Sequence, residues 1–184
     1  MKTQISVIVL FSLLLSCSPK YFNETQQGNM FIRNKKVYFQ KEFNHPISFS
    51  SAEEGIKSFN TPSGGFQVKL ENDKTLKGVM VNYQLNWLIT DDKKFKISPI
   101  FKKPINASFE IEKTQGTYKV TVNNIWIATE PKGKQKNLTI ESLVASKDGC
   151  CFLKSKKNIK ILELIDKNFS TIFLSRAAGG DLRF

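Results

Sequence analysis

Between residues 66 and 130 the chain alternates apolar and polar residues with a period of two. This pattern restricts the folds open to it more than any other feature, because successive side chains of a strand point to opposite faces of a sheet. FQVKLEN (66–72) sets Phe66, Val68 and Leu70 against Gln67, Lys69 and Glu71. TLKGVMVNYQLNWLIT (75–90) reads as one long strand, with Val79, Val81, Tyr83, Leu85, Trp87 and Ile89 on one face and Asn82, Gln84 and Asn86 on the other. FKISPIF (95–101) is a shorter strand, which Pro99 assigns to an edge. ASFEIE (107–112) alternates, TQGT (114–117) turns the chain, and YKVTVNNIWIATE (118–130) alternates as far as Asn123-Asn124. There the apolar phase slips by one, from Val120 and Val122 to Ile125 and Ile127, as a β-bulge requires. NLTIESLVAS (137–146) and CCFL (150–153) read as strands around the turn Lys147-Asp148-Gly149. KKVYFQKEF (35–43) is an earlier strand.

Two stretches follow a helical period instead. Ser51-Ala52-Glu53-Glu54 fits a capping box opening a short helix that Asn60-Thr61-Pro62 ends. NIKILELIDKNFSTIFL (158–174) carries Ile161, Leu162, Ile165, Phe169, Ile172 and Phe173 as a broad apolar stripe, with Lys160, Glu163 and Lys167 opposite and Asn158 as the N-cap. Half-apolar strands need one face covered, and the helices are the available cover. The expected fold class is α+β: an antiparallel sheet of about six to eight strands, with a short first helix and a long C-terminal helix packed on one face.

This element order, together with VYFQKEF (37–43) and FEIEKTQGTYKVTVNNI (109–125), resembles the exported Bacteroidetes family DUF4468, a domain of unknown function. The resemblance covers about residues 35–175 and implies a TBP-like fold; it brings no catalytic residues with it. The order is also similar to helix-grip domains, in which a long C-terminal helix crosses a curved sheet over a ligand cavity.

The start of the chain speaks for destination rather than fold. Lys2 precedes ISVIVLFSLLL (5–15), too short an apolar run to cross a membrane as a helix but suited to a secretory signal. Leu14-Leu15-Ser16-Cys17 resembles the lipobox of bacterial lipoproteins. The resemblance implies cleavage before Cys17, a diacylglycerol thioether on its sulfur and acylation, typically with palmitate, of the new N-terminus. Several acyl chains make a stable anchor, where one alone binds marginally. Ser18, rather than Asp, at the next position directs such a protein to the outer membrane, here to its periplasmic face, since no acidic run follows. The organisation expected is a signal peptide over 1–16, a lipid-anchored tether over 17–34, a single domain over 35–176 and a loose tail over 177–184.

Charge narrows the partners. The chain carries a formal net charge of +12, and cleavage removes only Lys2 from this balance, leaving the mature chain at +11. Such a surface favours anionic partners, and export excludes nucleic acid from them. The expected partners are the membrane, through the lipid anchor, and an envelope protein or an anionic glycan or lipid.

Chemistry is sparse. His45, the sole histidine, sits before Pro46 and reads as a loop residue, although any histidine-based catalysis would have to use it. Asp91-Asp92 and Glu53-Glu54 are adjacent pairs whose side chains diverge, unlike the facing carboxylates of acid–base chemistry. Cys150 and Cys151, as strand neighbours, are expected to point apart, one thiol in the core and one half-exposed; a vicinal disulfide is the alternative. The sequence offers neither a second cysteine pair nor a second histidine to complete a metal site, so no metal and no cofactor are expected. The candidate ligand face is the amide row Asn82, Gln84 and Asn86 with Lys69, widened by Gln67, Ser108, Lys119 and Thr121. The leading expectation is a non-catalytic, outer-membrane-anchored lipoprotein acting as an interaction or assembly module. The alternative is a carrier of an amphiphilic or anionic ligand between sheet and C-terminal helix.

Overall fold

The computed structural model describes residues 25–44, 46–47, 65–89, 98–128 and 138–177. The expected helix over 52–60, His45, Asp91-Asp92 and Cys17 lie outside these residues.

Among the described residues eight strands form one antiparallel sheet: β1 (Gln26–Gln27), β2 (Met30–Arg33), β3 (Lys36–Phe43), β4 (Phe66–Asn72), β5 (Thr75–Tyr83), β6 (Ile105–Lys113), β7 (Tyr118–Ile127) and β8 (Leu138–Thr139). Their order is β1-β2-β3-β7-β6-β5-β4, with β8 pairing to β7. β7 pairs with β3 over Tyr118–Val122 and with β8 over Trp126 and Ile127, while β6 runs along its other side. A one-turn helix, α1 (Glu141–Val144), precedes the long C-terminal helix α2 (Lys156–Ala177). The α+β architecture read from the pattern is the one found.

The core lies between one face of the sheet and α2. Phe39, Phe109, Ile111, Val120, Val122, Ile125 and Ile127 from the sheet meet Ile161, Leu162, Leu164, Ile165, Phe169 and Phe173 from the helix, all buried. Phe39 packs edge-on to Phe169 at 5.4 Å between centroids, and Phe109 edge-on to Phe173 at 5.3 Å. Such pairs are worth about 0.5–1.5 kcal/mol beyond their area. Tyr118 is fully buried, and its hydroxyl donates to the Phe173 carbonyl at 3.1 Å. Burial pushes its phenol well above the ordinary tyrosine range.

The slip expected at Asn123-Asn124 is present. Asn124 has φ +49°, and the β6 register jumps so that Ser108 faces Asn123 while Asn106 faces Trp126. The extra residue keeps Val120, Val122, Ile125 and Ile127 all on the core side.

Several expectations are corrected. Residues 75–90 are not one strand. Registry with β6 sets Leu76 opposite Ile111 and Met80 opposite Ala107, so Leu76 and Met80 (1% exposed) face the core and Val79 (38% exposed) faces out. A second bulge follows, with Asn82 at φ +54° and a register shift between Met80 and Tyr83. Only beyond it does the expected phase hold, with Tyr83 partly buried and Leu85 buried. Pro99 opens a 3-10 turn (Pro99–Lys102) instead of ending an edge strand; its fixed φ suits a first helical position. Most of 137–146 is α1 and its flanks, not a strand. α2 begins at Lys156, two residues before the expected cap, and the Ser155 hydroxyl takes the Asn158 N–H at 3.2 Å as an N-cap does.

The stretch read as tether reaches into the domain. β1 and β2 lie within it, and Met30 is fully buried. Their turn is fastened to α2: Asp166 accepts the Asn29 N–H at 2.9 Å and the Asn29 amide at 2.8 Å. Asp166 also accepts from Ser170, whose oxygen receives the Lys41 ammonium at 3.0 Å. Gly28 has φ +60°, and a Cβ there would collide with Asp166 Oδ2, so any other residue would be strained and would displace the carboxylate that holds Asn29.

Candidate functional site

The face of the sheet away from α2 is open. It carries Gln67, Lys69 and Glu71 on β4, Lys77 and Val79 on β5, Ser108, Glu110 and Glu112 on β6, and Lys119, Thr121 and Asn123 on β7, all exposed or partly exposed. Much of its charge is spent across strands. Lys77 meets Glu71 at 2.7 Å and Glu110 at 3.8 Å, and Lys119 pairs with Glu112. The Glu71 hydrogen bond foremost raises the Lys77 pKa. Lys69 stands directly opposite Lys77 in the β4–β5 register, and no ion pair to it occurs among the described residues. Gln67, Lys69, Lys77, Ser108, Glu110 and Asn123 border a shallow trough of about 540 Å³ on this face. The three lysines and three glutamates of this face balance, so the trough presents Lys69, without an ion pair of its own, beside amides and a hydroxyl on a neutral surface suited to hydrogen bonding with a polar surface group.

Lys69 is therefore on the open face with Gln67, Ser108, Lys119 and Thr121, as expected, but the amide row is not. Asn82 occupies the bulge, and its backbone N–H donates to Asn106 Oδ1 at 3.0 Å. Gln84 lies past the end of β5 and donates its amide to the Lys102 carbonyl at 2.9 Å. Asn86 is held by Asn168, whose Oδ1 accepts the Asn86 N–H at 2.7 Å and whose Nδ2 donates to the Asn86 carbonyl at 3.2 Å. Asn82 thus belongs to the bulge near the end of β5, and Gln84 and Asn86 to the loop after it. Lys77 and Val79 take the places assigned to them.

Asn168 is a structural position that the pattern does not mark. It sits fully buried on the apolar stripe of α2, and Nδ2 also donates to the Leu164 carbonyl at 2.8 Å. Its partner is the backbone of a loop far away in sequence, so periodicity carries no trace of it.

A second cluster lies on the hairpin after α1. Ala145 bridges to Phe152, and Ser146 N–H donates to the Cys151 carbonyl at 2.9 Å. Within this turn Asp148 Oδ1 takes the Ser146 hydroxyl at 2.5 Å and the Cys150 N–H at 3.2 Å. These bonds, the Ser146 hydroxyl first, pull the Asp148 carboxyl down to about 2. Cys150 and Cys151 do not diverge. Their sulfurs lie 3.1 Å apart with no disulfide, Cys150 exposed and Cys151 half-buried, so neither is a core thiol. The strand rule fails because Gly149, at φ +70°, bends the chain through both cysteines and Phe152 is the first residue back in the core. The Cys150 thiol is pushed above its ordinary pKa, chiefly by its hydrogen bond to Cys151. The three donor atoms of Asp148, Cys150 and Cys151 all lie within 4.8 Å of one another. The third donor is a turn carboxylate two residues from Cys150, which no signature of paired cysteines and histidines marks in a sequence.

No helix among the described residues is long and apolar enough to cross a membrane. Neither a protein-family model nor a curated protein matches the sequence. Solved structures do resemble the fold. A TBP-like protein from Parabacteroides distasonis aligns over 83% of this chain and 97% of its own, with a TM-score of 0.53 and 15% identity. A DUF4468 family protein from Bacteroides ovatus aligns over 85% of this chain and 95% of its own, with a TM-score of 0.51 and 14% identity. The fold expected from the resemblance in the sequence is thus the fold that these two Bacteroidetes proteins share with this chain, at an identity that speaks for architecture.

Proposed function

We propose that the chain is a non-catalytic lipoprotein of the cell envelope, anchored through Cys17 to the periplasmic face of the outer membrane and acting as an interaction module. The observation that carries this reading is Leu14-Leu15-Ser16-Cys17 directly behind the apolar run 5–15. The distribution of polar groups agrees with it. The open sheet face offers Lys69 and neighbouring amides and hydroxyls to an envelope protein or to an anionic glycan or lipid, and among the described residues its glutamates Glu71, Glu110 and Glu112 are engaged by lysines. The space between sheet and α2, which a carrier would need, is filled among the described residues by Phe39 against Phe169 and Phe109 against Phe173.

Metabolic labelling tests the anchor. Labelled palmitate enters the wild-type chain and is absent from Cys17→Ala, which leaves the membrane fraction. Equal labelling of the two, or an unlabelled wild type, removes the lipoprotein reading.

A further inference from the structure

We propose that Cys150, Cys151 and Asp148 form a binding site for a divalent, thiolate-preferring cation of the zinc class. Two sulfurs and one carboxylate oxygen within 4.8 Å of one another supply three of the four donors such a cation takes, and exposed Cys150 leaves the fourth position to water.

The turn that holds the donors is built in advance. Phe152 and Val144 are buried beneath it, the Leu153 N–H donates to the Val144 carbonyl at 2.8 Å, and the Gly149 N–H donates to the Ser146 carbonyl at 2.9 Å. Ser146 Oγ lies 2.5 Å from Asp148 Oδ1, 3.3 Å from Cys151 Sγ and 3.6 Å from Cys150 Sγ, touching all three donors. Groups so placed orient the ligands of a metal. Gly149 is in the left-handed conformation, φ +70°, and a Cβ there would stand 2.9 Å from the Cβ of Lys35, in the turn between β2 and β3.

The donor set decides the class. Tetrahedral zinc with sulfur bonds of about 2.3 Å separates two thiolate sulfurs by roughly 3.8 Å. From 3.1 Å the pair opens by small side-chain rotations. Joining the sulfurs to each other is harder. Neighbouring Cα atoms stand about 3.8 Å apart, below the usual range of about 4.4–6.8 Å for a bridged pair. A disulfide also needs a two-electron oxidant, whereas cation binding needs none. Two sulfur–metal bonds form, the two thiol protons pass to water, and the carboxylate binds as the anion.

The test uses the full chain, reduced, titrated with Co²⁺ alone and then with Zn²⁺. One equivalent of Co²⁺ gives thiolate-to-cobalt charge-transfer absorption, which Zn²⁺ abolishes. The double variant Cys150→Ser, Cys151→Ser retains Cys17 and shows no such absorption. Asp148→Asn binds Co²⁺ about tenfold or more weakly. Circular dichroism confirms that each variant is folded; should the double variant not fold, Cys150→Ser alone, at an exposed position, replaces it. No charge-transfer band in the wild type, an unchanged band without the two cysteines, or undiminished affinity in Asp148→Asn each overturns the site.

Discussion

β5 and β7 solve the same problem with different visibility. Each breaks its pleat at an asparagine of positive φ, Asn82 at +54° and Asn124 at +49°, and each shifts register against β6. In β7 only one side is apolar, so the slip shows in the order of residues. In β5 both sides carry apolar residues, Leu76 and Met80 on one and Val79 and Val81 on the other. Two overlapping alternations of period two cannot be ranked by period alone. Size ranks them: the larger side chains, Leu76 and Met80, are buried in the core, and Val79 stands on the open face.

This comparison can be broken at several points. The largest effect is expected from deleting residues 156–184, which strips the cover from both strands at once. Six buried apolar side chains of α2, each worth about 1.5–3 kcal/mol, sum to the order of a whole domain's stability of about 5–15 kcal/mol. The shortened chain should be insoluble or lack a cooperative thermal transition. A normal transition without the helix would mean that the sheet finds its cover elsewhere.

Next in size is the inner face of β5. Met80→Ala should cost about 2–5 kcal/mol in denaturant unfolding, whereas Val79→Ala, on the open face, should stay within about 0.5 kcal/mol. The reverse ranking would restore the phase read directly from the sequence and refute the register with β6.

Asn168→Ala comes third. It leaves the Asn86 N–H and carbonyl without their partner, a loss of about 1–3 kcal/mol per buried group stranded. Hydrogen exchange should show the 84–88 segment opening more readily while β7 is unchanged; equal loosening of both strands would deny Asn168 a local role.

The smallest effects separate the two bulges themselves. Asn82→Ala and Asn124→Ala each place an ordinary side chain in the left-handed region, at about 1–2 kcal/mol, and glycine at either position should restore stability. An alanine tolerated at 82 but not at 124 would show that only β7 is truly bulged.

What could be read in advance follows from the range of each interaction. The β7 slip, the α2 stripe and the turn at Gly149 depend on near neighbours and were visible. β1 and β2 were missed because MFIR is only four residues long and its turn is held from α2, by Asp166. Ser155 was passed over as a cap because Asn158 is an equally good one by type. The amide row depends on the β5 bulge, which holds Asn82 at its kink and sends Gln84 and Asn86 past the end of the strand. The meeting of Cys150, Cys151 and Asp148 depends on a bend, where the rule for strand neighbours does not hold.

The early start of the sheet sets a leash. Between Cys17 and the first residue of β1, Gln26, lie eight residues, which span at most about 30 Å when fully drawn out. An acylated Cys17 would therefore hold the folded body within one domain's width of the bilayer, against a reach roughly twice as long had the tether run to residue 34. Any pull on that leash arrives first at the two-residue strand β1 and the Gly28-Asn29 turn, where the bonds from Asn29 to Asp166 pass the load to α2. On such an anchor the body would stay beside the bilayer, and a partner would have to come to that surface.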